Sequence, residues 1–406
     1  MESARRVLAR ADVLATHSIH GPSNIERSYL TPDHAEVNAL AALWMTEAGM
    51  RSWQDPAGNQ CGRRERDDAD RPALLIGSHL DTVPDAGRYD GILGVLAGIE
   101  VADRLRDADL PFALEVVAFG DEEGTRFGAT LLGSRALAGS WDEDWLELED
   151  ADGVTLARAA EDFGLDPAAI GSAGREPGSV VAYLEAHIEQ GPRLERVGRA
   201  LGVVTGIAAA QRRRIVFRGE ARHAATPWEL RRDALLGASE AVVEAHRIAK
   251  QQGSTSVIGR ITAEPGAVNV VPGLAEFTLD LRDETAAGRD ATWERIQSAF
   301  HGIAADRRLD VDVELTHAAP EVRCAPGLRE AVAAGIRTTG DENPLDLFSI
   351  AGHDAMAVAD LCDVGMLFVR CAGGISHHPD ESVTVEDVAL AIDALEAAVL
   401  ELAARS

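Results

Sequence analysis

The chain has 406 residues, 46 % of them hydrophobic, more than one core normally accommodates, so two domains are expected. With 67 acidic against 39 basic residues the net charge is −28, an anionic surface that repels phosphate backbones and argues against nucleic acid as a partner. No apolar run approaches the ~20 residues needed to span a bilayer, so no membrane association is expected.

The N-terminal stretch MESARRVLARADVLATHS reads as an amphipathic helix interrupted by charge, not as the continuous apolar core of a signal peptide. The four cysteines, Cys61, Cys324, Cys362 and Cys371, form neither a C-x-x-C pair nor a disulfide framework, and a reducing cytoplasm fits them. The charged segment from Cys61 to Pro72 is expected as an exposed loop. Beyond it, Ala73 to Gly77 reads as a short buried strand delivering His79 to the edge of a parallel sheet, where ligands of α/β folds belong. Asp81, two residues on, is placed to accept the second ring N–H of His79, fixing its tautomer and raising its basicity. Asp90 precedes Gly91 at the start of an apolar helix, and each of its oxygens can bind one cation.

The same construction recurs. A strand from Leu114 to Phe119 stops at Gly120 and presents Asp121, Glu122 and Glu123. Adjacent carboxylates in one cleft are best reconciled by giving one to a metal and leaving its neighbour to move protons, and Glu123 is assigned to metal and Glu122 to acid/base work. VVAYLEAHIEQGPRLE carries His187 after a third strand, and VGMLFVRCAGGISHHPDESV carries His377 and His378 after a fourth. A single His at a strand end is more often structural than a ligand, and paired glutamates are usually a solvated helix face. Four repeats of the pattern point instead to a hydrolase with two metals. The acidic run from Trp141 to Asp152 is expected as a solvated helix face.

From Arg214 the order changes to strand, long helix (Arg231 to Gln251), strand (Ser256 to Thr262), strand (Ala275 to Arg282), helix (Ala291 to Ala304) and strand (Leu309 to Thr316). That is the βαββαβ order of a ferredoxin-like unit inserted into the first domain. The expected division is a discontinuous α/β catalytic domain, residues 1–211 and 325–406, and an α+β insert, residues 212–324. His223, Asn269 and Arg282 of the insert are polar groups able to close over a bound molecule. The planar fork of Arg282 suits a carboxylate, a surface salt bridge being the alternative, and Asn269 reads equally as a turn residue.

GSHLDTV with YDG, DEEGTRF, HIEQGP, VNVVPG, AGHDA and GGISHHPDE, in this order, resemble the signature set of the allantoate amidohydrolase and N-carbamoyl-L-amino-acid hydrolase family, of the zinc aminoacylase/carboxypeptidase superfamily. The resemblance covers nearly the whole chain. It implies a homodimer, a di-metal aminopeptidase-like catalytic domain and an inserted lid that also dimerises. It implies further that His79 and His187 complete one metal site and Glu123 and His377 the other, with Asp90 bridging, and it selects His377 over His378. Glu122 matches the general base, and Asp81 is expected among the catalytic residues with it and His223. His223 matches a residue that reaches the substrate carbonyl across the dimer. Gln190, Asn269 and Arg282 match groups that hold the ureido and carboxylate groups, and Gln211 and His353 match residues close to the substrate. Two motifs depart from the pattern: HAATPW, from His223 to Trp228, is one residue shorter than the usual HAGTTPM, and FSIAGHDA, ending at Ala355, replaces SGAGHDA.

The implied reaction is hydrolysis of the carbamoyl C–N bond of allantoate to ureidoglycine, ammonia and carbon dioxide. The alternatives are hydrolysis of N-carbamoyl-L-amino acids or N-carbamoyl-β-alanine, and a catalytically silent metal-binding relative. Zinc is the first expectation for the metal, with manganese, cobalt or nickel compatible with mixed His and carboxylate ligands.

Overall fold

The computed structural model describes residues 1–22, 24–64 and 71–405. The chain folds into two compact units, Met1–Thr205 with Arg323–Ser406, and Gly206–Val322.

In the larger unit four strands lie side by side and parallel, in the order Ala113–Phe119, Ala73–His79, Val180–Ile188, Val364–Val369. Their residues are buried almost throughout, as expected of strands covered on both faces, with Val181 the exposed exception. Gln60–Arg64 and Arg51–Gln54 extend the sheet antiparallel on one side, and Leu201–Ile207 does so on the other. Because the central strands are parallel, their C-terminal ends share one edge. His79 lies opposite Phe119, and His187 lies opposite Phe368.

The helix Ile92–Arg104 is buried from Ile92 through Ala102, apolar all round as a central helix must be. Two glycines let it lie directly on the sheet: a Cβ at Gly94 would stand 2.1 Å from the carbonyl oxygen of Ala186, and one at Gly98 2.9 Å from Ile76. Its one buried charge, Glu100, takes two 2.7 Å hydrogen bonds from Arg6. Arg6 belongs to the N-terminal helix Glu2–Leu14, which buries Ala4, Val7, Ala11 and Leu14 at the spacing of one helical face. The helices Pro326–Thr338 and Val385–Arg405 complete this layer. Buried Arg27 donates to the carbonyls of Leu14, His17 and Leu80, tying the end of the first helix to the loop that follows His79.

The smaller unit pairs its strands antiparallel in the order Ile261–Glu264, Leu274–Asp283, Ala209–Arg218, Asp310–Ala319, which is ferredoxin-like. The helices Ala234–Gln252 and Ala286–Arg307 cover one face around Phe217, Phe277, Phe300 and Trp293. The opposite face is a lattice of cross-strand ion pairs, among them Arg212 with Asp280, Arg214 with Glu276 and Arg218 with Asp312.

Three local expectations are corrected. Cys61–Arg64 is not loop but the end of a buried strand, in which Arg63 reaches Glu115 at 2.7 Å; charge there is internal because it is paired. The rest of that expected loop falls partly outside the described residues. The acidic run forms a short 3-10 turn, Glu143–Glu147, and not an α-helical face, its Trp141 and Trp145 meeting edge to face at 5.2 Å. The expected strand Ser256 to Thr262 is two strands, Thr255–Val257 and Ile261–Glu264, both paired to Leu274–Asp283.

Candidate metal centre and active site

The four parallel strands deliver their polar residues to one place. His79 ends its strand with its Nδ1–H donated to the carbonyl of Asp81 at 3.0 Å, and His187 donates its Nδ1–H to the carbonyl of Ile188 at 2.9 Å. With Nδ1 so engaged, it is Nε2 of each ring that faces Asp90 and becomes the lone-pair nitrogen once the ring is neutral. His187 Nε2 stands 3.1 Å and His79 Nε2 4.0 Å from Asp90 Oδ1. On the other side of the same carboxylate, His377 Nε2 lies 2.9 Å from Oδ2 and 3.1 Å from Glu123 Oε1.

The three separations of 2.9–3.1 Å are close enough for these atoms to share a cation, with His79 standing farther off at 4.0 Å. Bonds of about 2.0–2.1 Å in tetrahedral array place ligand atoms roughly 3.3 Å apart. Asp90 Oδ1 is buried without an aligned hydrogen bond although His187 Nε2 is 3.1 Å away, so the two atoms aim at a shared point more than at each other. His79, Asp90 and His187 form one such group, and Asp90, Glu123 and His377 another. The donor set fits divalent metal, and the carboxylate of Asp90 belongs to both groups.

Backbone strain is concentrated here. Asp121, Gln190 and His377 hold φ of 62, 54 and 54°, the left-handed region that non-glycine residues seldom occupy outside functional turns. At Asp121 this turn sends Glu122 and Glu123 back over the strand ends. Gly91 has φ 71°, and a Cβ there would lie 2.4 Å from the His79 ring.

The electrostatics follow from one buried carboxylate among three imidazoles. Hydrogen bonds to Asp90 and Glu123 push His377 up to about 10. Burial works to lower His187, but the adjacent Asp90 carboxylate outweighs it and raises it to about 9. For His79 burial wins and its pKa is lowered. Burial also works to raise Asp90, yet His187 and His377 hold it well below the carboxylate range. Glu122 behaves differently: burial, reinforced by the charges of Glu123, Asp354, Asp81 and Asp90, pushes it well above the usual range. One ligand atom each of Glu122, Glu123 and His79 lie within 4.8 Å of one another, so a carboxyl poised to hold a proton stands beside the ligands.

Asp81 acts otherwise than its spacing suggested. The His79 ring bonds its main-chain carbonyl, while its carboxylate is 3.7 Å from Nδ1 and instead accepts the N–H groups of Glu122 and Glu123 at 3.1 and 3.2 Å. The strand end turns the Asp81 side chain toward the neighbouring loop, so it fixes the paired glutamates more than the imidazole. Gln190 donates to Asp90 Oδ2 at 2.9 Å. The buried His353 ring packs edge-on to His187 at 4.5 Å, with Nε2 2.8 Å from Ser349 Oγ.

The residues of the smaller unit are placed by their own hydrogen bonds. His223 is exposed in a two-stranded ribbon opposite Val270, and its Nδ1 accepts the N–H of Ala225 at 3.1 Å, leaving Nε2–H as the donor of the neutral ring. Asn269, also exposed, binds the same turn through its carbonyl, which accepts the N–H of Ala224 at 2.9 Å. Arg231 closes the HAATPW segment by donating to the carbonyls of Thr226 and Ala224 and stacking 3.8 Å over Trp228. Gln211 is buried, its Oε1 taken by Arg213 and its Nε2 without a partner. Arg282 has the carboxylate of Asp280 in its fork, at 2.8 and 3.1 Å, the salt bridge that was its alternative reading.

Sequence reasoning passed over Glu185 and Glu381. Glu185 lies two residues before His187 on the same face of the strand, accepting Ser78 Oγ–H and the N–H of Ala355, both at 3.0 Å. An acid inside an otherwise apolar strand was the available signal.

Strand ends converging on a histidine–carboxylate cluster that could hold metal, with a protonatable glutamate beside it, are the site of a hydrolase of mixed α/β fold. The chain belongs to peptidase family M20/M25/M40, whose pattern it matches over residues 75–401. It is 40 % identical to an N-carbamoyl-L-amino acid amidohydrolase of Geobacillus stearothermophilus, over 93 % of each chain. It is 39 % identical to a probable allantoate deiminase of Oryza sativa, covering 91 % of this chain and 82 % of that one. Among solved structures it resembles AtUAH in complex with glyoxylate, with a TM-score of 0.88 at 30 % identity over 99 % and 98 % of the chains. A hydantoinase/carbamoylase family amidase from Burkholderia multivorans gives a TM-score of 0.85 at 33 % identity over 98 % and 97 %. The chain is accordingly a hydrolase of C–N bonds outside peptides.

Proposed function

We propose that the chain hydrolyses the carbamoyl C–N bond of allantoate, giving ureidoglycine, ammonia and carbon dioxide. The observation that carries the hydrolytic part is the buried, proton-holding Glu122 beside two ligand groups that share Asp90. The choice of allantoate rests on the likeness to plant allantoate deiminases together with the polar groups Gln190, His223, Asn269 and Arg282.

His79, His187 and Asp90 are proposed to hold one divalent ion and Asp90, Glu123 and His377 a second, zinc first and manganese, cobalt or nickel next. Bound there, the ions supply Lewis acidity toward the ureido carbonyl and toward the attacking water. With the positive charge of bound ions favouring its carboxylate form, Glu122 would take the proton of that water and return it to the departing ammonia; the carbamate left behind would lose carbon dioxide to give the free amine. His223 donates Nε2–H to the carbonyl oxygen as negative charge builds on it. Arg282 is proposed to take the substrate carboxylate in exchange for Asp280, and Asn269, Gln211 and His353 to line the substrate. The unit Gly206–Val322 is proposed to serve as lid and dimer contact, in a cytoplasmic homodimer.

The likeness to the Geobacillus enzyme favours a second reading, hydrolysis of an N-carbamoyl-L-amino acid. Ammonia release from metal-reconstituted protein, comparing allantoate, N-carbamoyl-L-amino acids and N-carbamoyl-β-alanine at equal concentration, separates the two. Preference for allantoate is expected; preference for a carbamoyl amino acid overturns the substrate, and silence on all overturns the reaction.

A further inference from the structure

Glu381 is 4 % exposed and lies in the loop after the fourth parallel strand. One of its oxygens, Oε1, accepts the main-chain N–H of Tyr89 at 2.7 Å and of Asp90 at 3.2 Å. The other, Oε2, faces Ser376 Oγ at 3.0 Å, and the same hydroxyl is 2.9 Å from Asp90 Oδ2. The carboxylate therefore clasps two loops that are 291 residues apart in sequence, one carrying Asp90 and the other His377. The space for it is made by Gly87: a Cβ there would stand 2.3 Å from Cβ, Cδ and Oε1 of Glu381. A backbone cradle with no room for one methyl group, closed on a buried carboxylate whose oxygens face three donors, is a built feature.

The clasp bears unequally on the two ligand groups. His79 and His187 are fixed by carbonyls of their own strand ends, at 3.0 and 2.9 Å. His377 has no such anchor in a buried strand; its side chain is 46 % exposed and its backbone holds the left-handed region. Ser376, its neighbour, is held by Glu381 and Asp90.

We propose that Glu381 is a positioning residue for the Asp90–Glu123–His377 site, fixing the spacing of Asp90 and His377 and hence the affinity of that site for its divalent ion. The inference rests on the reading of these residues as metal ligands. A group that orients ligands in this way typically contributes 10–100-fold in metal affinity.

The test is titration of the full-length, metal-stripped chain with Co²⁺, following visible absorption and heat. The parent is expected to bind two equivalents. Glu381→Ala is expected to weaken one class about 10–100-fold and leave the other within about threefold. Ser376→Ala, which removes the hydroxyl link and with it a 3.3 Å hydrogen bond from Gln190, is expected to weaken the same class by less, and it stands in if Glu381→Ala does not fold. Glu381→Gln keeps an oxygen for both N–H groups and offers its amide to Ser376, so near-parental binding is expected. Two parental classes in Glu381→Ala, or in Ser376→Ala should the first not fold, overturn the proposal, as does equal weakening of both classes. A parent that binds no Co²⁺ overturns the metal-site reading beneath it instead.

Discussion

Asp81 and Glu122 are joined through the main chain: the Asp81 carboxylate accepts the Glu122 N–H at 3.1 Å and the neighbouring Glu123 N–H at 3.2 Å. One buried acid thus sets the position of both the proposed proton carrier and a proposed ligand. Asparagine at 81 keeps one acceptor but turns an amide toward the second N–H. Asp81→Asn is expected to cost about 1–3 kcal/mol of stability through that unsatisfied donor, and to lower kcat more than KM. Urea unfolding and steady-state kinetics check this; parental values of both would remove Asp81 from the machinery.

Glu122→Gln keeps the shape of the side chain and removes its proton chemistry. Turnover is expected to fall roughly 10²–10⁴-fold with metal content unchanged. Single-turnover ammonia release alongside metal analysis decides it, and a variant as fast as the parent would move the base elsewhere.

Metal uptake should release protons. Without an ion His187 and His377 titrate at about 9 and about 10, so both are charged at pH 7, whereas a ligand imidazole must be neutral. Because these pKa values are raised, the stabilisation from the protonated pairs in the metal-free protein is complete below the ordinary histidine pKa and fades as pH rises through 9 to 10. Calorimetry in two buffers of different ionisation heat is expected to show one to two protons released per chain, and zero would contradict the assignment. Saturating metal at about 100 times its Kd should add roughly 2.7 kcal/mol of stability, lost on chelation.

His34, outside the two ligand groups, supplies a further acid-sensitive point. Burial lowers it from 6.5 to about 3, its ring stacked on Phe163 at 5.3 Å. Here the folded pKa is depressed, so the unfolded chain binds the extra proton, and stability present above pH 6.5 is lost progressively as pH falls toward 3. The loss tends toward ~4–5 kcal/mol. His34→Phe is expected to flatten that limb of the unfolding free energy between those values; an unchanged slope would assign acid sensitivity to the carboxylates instead.

Gly94→Ala would press a methyl group against the Ala186 carbonyl, 2.1 Å from where its Cβ must go. The helix can yield only by lifting off the strand that carries His187. A loss of about 1–3 kcal/mol, together with weaker metal binding, is expected by thermal unfolding with and without Co²⁺. Loss of stability with parental metal affinity would show that strand and ligand are not coupled.

Much of this molecule was written locally. Strands ending in a histidine or an acid are visible at His79, Glu123, His187 and His377, because a continuous apolar run followed by glycine or a charged residue carries its own period and stop. The order of elements in the insert was legible for the same reason. What failed were places where partners override pattern: Arg63 and Arg64 look exposed in sequence but are buried, Arg63 against Glu115, and the run after Trp141 has helical composition but only one 3-10 turn.

The sequence by itself determined which residue types meet a cation and which strands end at them, since period, polarity and chain punctuation are properties of short segments. Only the tertiary structure decided the direction of each side chain once there. Asp81 bonds the loop of Glu122 and not the ring of His79, Asp280 fills the fork of Arg282, and Glu381 reaches back across 291 positions to Asp90. Those choices depend on which donors stand within about 3 Å after the strands have packed, a distance that no spacing along the chain records.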